Sequence, residues 1–133
     1  MLTIGSVRDW FKNKYPEFIG GFYVGRLQNT NVEKKISFRG GVTPSPVIAI
    51  GGTTQNSYDA IAVNTIIHWM KDANQTDIKA RELRDSLFSC NDVETIINEH
   101  QVIHLSIRNF VDIGVDEHGI QEYALDFEII YQR

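Results

Sequence analysis

The pattern of apolar and polar positions is clearest at the C-terminal end of the chain. Tyr123, Leu125, Phe127, Ile129 and Tyr131 alternate with Glu122, Ala124, Asp126 and Glu128, which separates the two kinds of side chain onto opposite faces of a half-buried strand. Upstream, Ile103, Leu105 and Ile107 repeat the alternation with His104, Ser106 and Arg108 opposite. Asp116-Glu117-His118-Gly119 lies between the two runs, so the stretch from Val102 to Arg133 predicts a long β-hairpin. Both apolar sets fall at odd positions and share a face only if paired residue numbers sum to an even value, because a slip of one residue flips every side chain. A three-residue loop, Glu117 to Gly119, with Gly119 at positive φ, gives that register; Asp116 then faces Ile120 and Ile107 faces Ile129.

Earlier in the chain, Ile4, Val7, Trp10 or Phe11, and Tyr15 recur at helical spacing behind Thr3 as a cap, with Pro16 and Gly20-Gly21 as stops. Phe18 to Leu27 and Lys34 to Phe38 read as two short strands around a polar turn, Gln28 to Asn31, and Lys34-Lys35 as a charged strand edge. Gly40 to Tyr58 carries no charge and is rich in Gly, Pro, Ser and Thr around the apolar Val47 to Ile50, which predicts a long loop with room for a strand inside it, either covered by a partner or simply flexible. Val47, Ile48, Ile50, Thr53 and Gln55 are its candidate contact residues. Ala60 to Met70 is the clearest internal strand, with Ile61, Val63, Thr65, Ile67 and Trp69 on one face and Ala60, Ala62, Asn64, Ile66 and His68 on the other. A helix capped by Asn74 or Thr76 follows, with Ala80, Leu83, Leu87 and Cys90 as its apolar stripe, ending near Ser89 to Asp92. A polar link through Asn98-Glu99-His100 leads to the hairpin. The order predicts an α+β fold: a mixed or antiparallel sheet with a long C-terminal hairpin and two helices packed on one face.

Length narrows this further, since 133 residues predict one domain spanning 1–133. The single Cys90 cannot form an internal disulfide, and no apolar run approaches the ~20 residues of a membrane span. The reading is a soluble chain made in a reducing cytoplasm, with no membrane partner. With 17 acidic and 13 basic residues the formal charge is −4, which gives no overall pull toward nucleic-acid phosphates.

Candidate chemistry is thin. His68, His100, His104 and His118 show no metal-ligand spacing with Cys90 or a carboxylate, so no metal and no cofactor is expected. Gly51-Gly52-Thr53-Thr54 lacks the following Lys and helix of a phosphate loop and reads as a turn. Asp126 and Glu128 share a strand face, but without a pocket signature they read as a solvated or interface charge row rather than an acid/base pair. His118 reads as a turn residue and Cys90 as a small apolar one.

One resemblance runs through nearly the whole chain. Ile48-Ala49-Ile50-Gly51-Gly52, Ser57-Tyr58-Asp59, Ile66-Ile67-His68-Trp69, the run from Val111-Asp112-Ile113-Gly114 to Gly119-Ile120-Gln121-Glu122-Tyr123, and the close Phe127-Glu128-Ile129-Ile130-Tyr131 carry it. In these pieces the sequence resembles the phage minor capsid proteins of Gram-positive hosts, which belong with the tail-terminator proteins of long-tailed phages. The resemblance implies a non-catalytic virion protein at the tail-neck junction, made in the host bacterial cytoplasm. Such a protein forms a ring, usually hexameric, that caps the tail tube, stops the tube protein from polymerising and joins the tail to the head-neck connector while DNA passes without specific binding. His104, Arg108, Glu122, Asp126 and Glu128 are then candidates for the face lining the lumen or the subunit seam. Two alternatives stay open: another neck, head-completion or tail-like-particle component, or a small enzyme or ligand-binding domain using His68, His104, Arg108, Asp126 and Glu128.

Overall fold

The computed structural model describes residues 1–25, 32–41 and 58–133. The turn Gln28 to Asn31 and the contact residues Val47, Ile48, Ile50, Thr53 and Gln55 lie outside them. The described elements run α1 (Ile4–Lys14), β1 (Gly21–Val24), β2 (Lys35–Gly40), β3 (Tyr58–His68), α2 (Ala73–Ser89), a 3-10 turn (Cys90–Asp92), β4 (Ile96–Ile97), β5 (His100–Val115) and β6 (Gln121–Gln132). The strands form one six-stranded sheet in the order β1-β2-β3-β6-β5-β4. This is the expected α+β fold.

Both helices sit on the odd-numbered face of β6. Val7 and Phe11 of α1 and Ala80, Leu83 and Leu87 of α2 join Ile36, Phe38, Val63, Ile67, Leu105, Leu125, Phe127 and Ile129 in one core. Phe11 lies at its centre, 5.0 Å from Phe38 and 6.1 Å from Phe127 between ring centroids. Thr65 shares this apolar face and is wholly buried, and its hydroxyl is satisfied by donating to the Leu125 carbonyl at 2.5 Å. The Tyr15 hydroxyl meets Ser86 Oγ at 2.8 Å and ties α1 to α2.

Thr3 caps α1 in a reciprocal box with Ser6. The cap of α2 is Asp72, not Asn74 or Thr76: its carboxylate accepts from Asn74 N at 2.9 Å and Gln75 N at 3.2 Å. Thr76 is buried one turn in and donates its hydroxyl to the Met70 carbonyl.

Three pairings differ from the sequence expectation. β1 and β2 run parallel, Gly21 beside Lys35 and Val24 beside Phe38, where two strands around a turn would pair antiparallel. Lys35 is accordingly interior, between β1 and β3, and is 1% exposed rather than an edge charge. The Asn98-Glu99 link is itself a tight turn, with both residues at positive φ, which pairs Ile97 with His100 and adds β4 at the sheet edge.

The hairpin turn forms as predicted: Asp116 N donates to the Ile120 carbonyl at 3.0 Å, and Gly119 takes φ +80°. Beyond the turn, however, β5 does not keep one register. Irregularities at Ile113, Arg108 and Ile103 shift the pairing in three steps, so Ile107 faces Phe127 and Leu105 faces Ile129. Between the shifts at Ile113 and Arg108 the parity is reversed, which puts Phe110, an even-numbered residue, on the core face opposite Leu125, where it packs 5.3 Å from Tyr123. Ile103 leaves the core face and is 52% exposed.

Candidate assembly face and a buried polar cluster

The even-numbered face of β6 carries the candidate residues and divides into two zones. Along its C-terminal half, Glu128 lies opposite Ala62 and Ser106, and its carboxylate meets Arg108 Nη2 at 2.7 Å. Glu128 is therefore buried and charge-paired within the chain. Asp126 is flanked by two neutral amides, Asn64 on β3 and Asn109 on β5. His104 is exposed, opposite Ile130.

Glu122 sits apart, six residues from Glu128 and so roughly 20 Å along the strand. The ladder places Lys35, His68 and Glu122 side by side across β2, β3 and β6. The hairpin turn adds Asp116. His68 Nε2 lies 3.5 Å from Asp116 Oδ2 and 3.4 Å from Glu122 Oε1, and the imidazole is 6% exposed. Burial first, and the nearby Lys35 ammonium second, push the His68 pKa down to about 4 against the pull of Asp116, so the ring is neutral at pH 7. Burial and the Asp116 charge raise the Glu122 pKa, opposed by Lys35. The other oxygen of Asp116 is already engaged: Oδ1 accepts from His118 N at 2.8 Å and Ile120 N at 3.0 Å, which fixes the carboxylate with Oδ2 toward His68.

This cluster was absent from the sequence reading: Asp116 and Glu122 stand six residues apart on either side of the hairpin turn, but His68 is 48 positions before Asp116, so no local spacing marks the three as a group. Only the pairing of β3 with β6 brings them together.

Among the described residues, one free margin of the sheet lies along β5 and the other along β1. Thr95 O accepts from Val102 N at 2.8 Å, and β4 pairs only as far as Gln101. The Asn91 side chain then takes a strand's place: its Nδ2 donates to the Leu105 carbonyl and its Oδ1 accepts from Leu105 N, both at 2.7 Å. Among the described residues no strand pairs with the outer side of β5 from there to Val115. This outer half presents Val111, Ile113 and Val115, each more than 40% exposed.

A chain in the virion of a native gene transfer agent particle superposes on this protein with a TM-score of 0.58 at 8% identity, covering 100% of both chains. The two chains share a fold. A second solved chain aligns over 96% of this protein and 87% of its own length at 16% identity, with a TM-score of 0.48. No family model matches the sequence. No curated protein matches it either. Among the described residues no helix is long and apolar enough to cross a membrane.

Proposed function

We propose that this chain is a virion structural protein: a ring-forming tail terminator that caps the tail tube, halts its polymerisation and joins the tail to the head-neck connector. The observation that carries the reading is the end-to-end likeness to a chain whose source is a gene transfer agent virion, at full coverage of both molecules. The motif resemblance in the sequence points the same way. So does the outer half of β5, where an unpaired strand margin and the exposed Val111, Ile113 and Val115 offer a neighbour both backbone hydrogen bonds and apolar area.

In this reading the uncharged segment with Val47, Ile48, Ile50, Thr53 and Gln55 contacts the tube or a neighbouring subunit. The face bearing His104, Arg108, Glu122, Asp126 and Glu128 lines the lumen or a seam. Because Arg108 neutralises Glu128 within the chain, Asp126 is the residue whose charge matters most there. Repulsion from it and from the net charge of −4 keeps passing DNA from adhering. Negative-stain microscopy of the purified protein with isolated tail tubes tests this. Rings seated on tube ends are expected; tubes left bare at saturating protein would overturn it. Deleting the gene should give tails of uncontrolled length or tails that fail to join heads, and normal joined tails would eliminate the terminator role.

A further inference from the structure

The cluster of His68, Asp116 and Glu122 lies apart from the outer half of β5; Asp116 shapes the hairpin turn and Glu122 belongs to the proposed lumen or seam face, but neither role accounts for the convergence of the three side chains. The donor atoms of the three residues all lie within 4.8 Å of one another. His68 Nε2 points between two carboxylate oxygens at 3.5 and 3.4 Å, beyond the 2.7–3.2 Å typical of N–H···O bonds. One imidazole N–H could serve only one of them in any case. Two donors held at about 2.0–2.1 Å from one ion at a tetrahedral angle stand about 3.3–3.4 Å apart, close to both observed separations.

We infer that His68, Asp116 and Glu122 form a site for a divalent transition-metal ion, with Zn²⁺ as its probe, that pins the hairpin turn to the end of β3. The donor chemistry fits, since one imidazole nitrogen and two carboxylate oxygens suit zinc and leave a position for water. Preorganisation fits as well: Asp116 is oriented by two backbone N–H groups on its other oxygen, the kind of outer support that metal-ligating carboxylates carry. The ion would offset the mutual repulsion of the two carboxylates. Lys35, also buried beside them, supplies one positive charge and competes with the metal. Access is from the carboxylate side, where Asp116 and Glu122 are 15% and 18% exposed in their side chains.

The test is isothermal titration of the EDTA-dialysed full chain with ZnCl₂, read beside thermal denaturation. One ion per chain and a raised Tm are expected. Glu122→Gln and Asp116→Asn should each weaken binding by about 100-fold or more, since loss of outer supports alone typically costs 10–100-fold. Lys35→Met should tighten it. The N-terminal amine with His100, 3.1 Å apart, is the obvious adventitious zinc trap, and His100→Ala must leave the affinity unchanged. Absence of saturable binding, or binding that survives Glu122→Gln and vanishes in His100→Ala, overturns the site. Should a variant not fold, the unsubstituted protein decides by NMR: the His68 imidazole resonances must move on zinc addition at one equivalent, and if only those of His100, His104 or His118 move the inference fails.

Discussion

The two strands of the C-terminal hairpin have similar alternation in sequence and opposite fates in the fold. β6 lies between β3 and β5 and pairs with β3 along eleven consecutive rungs without a break, from Gln132 beside Tyr58 to Glu122 beside His68. β5, next to it, slips register three times. A strand hydrogen-bonded on both sides cannot accept an extra residue without breaking a ladder, whereas one with a free outer side can bulge toward solvent. The interior strand therefore keeps the period of the sequence, and the marginal strand uses its freedom to re-aim Phe110 onto the core.

The sharpest way to break this contrast is truncation at the interior strand. Leu125→Ala should cost about 2–5 kcal/mol, because Leu125 is fully buried between Thr65 and Phe110. Denaturant unfolding measures it, and wild-type stability would show that β6 is not the interior strand of the core.

The next effect comes from acid. The unfolded His68 imidazole binds its proton near pH 6.5 and the folded one only near 4, so between these values the unfolded state holds more protons and stability falls as pH drops. From His68 alone the loss in metal-free protein is on the order of 3 kcal/mol, and Glu122 opposes it, since its raised pKa contributes stability at low pH that is lost as pH rises through the folded value. His68→Gln should flatten the slope of stability against pH in this window; an unchanged slope would place the responsible proton elsewhere.

At the marginal strand the effects shrink. Gly114 adopts φ +97° at the bulge nearest the turn, and a Cβ there would meet no atom within 4 Å, so Gly114→Ala tests backbone strain alone and should cost about 1–2 kcal/mol. Val111→Ala or Ile113→Ala should change subunit stability by no more than about 0.5 kcal/mol, as exposed positions do. Ile113→Lys should likewise spare the fold yet prevent seating on tail tubes, and full retention of seating would remove the outer half of β5 from the assembly surface.

How much of this was legible follows the same line. The hairpin turn, the alternation of β3 and β6, the cap at Thr3 and the stripe of α2 all rest on local periods and turn chemistry, and these the chain spells out. The bulges left a weaker trace: apolar parity changes from odd at Ile107 to even at Phe110, a signal of an inserted residue that a single-register reading passes over. β4 was missed because two residues before Asn98-Glu99 carry too little pattern. The parallel pairing of β1 with β2, and with it the burial of Lys35, depends on which strands become neighbours, a tertiary choice that no local period records. The same holds for His68, which joins Asp116 and Glu122 beside the hairpin turn only once β3 and β6 are in register.

Asn91 gives the free margin a starting mark. Its side-chain amide occupies both backbone groups of Leu105 at 2.7 Å, directly after the short cover from Thr95 to Ile97. A strand added from another molecule cannot lay its ladder over that rung. Its first open position lies past Leu105, which leaves Ile107 to Val115, roughly 25–30 Å of extended chain, as the length available for addition. If copies of the proposed ring were joined by strand addition here, one asparagine would act as a ruler: the offset from one molecule to the next would be counted from residue 105 outward, and Asn91→Ala would erase the zero of that scale.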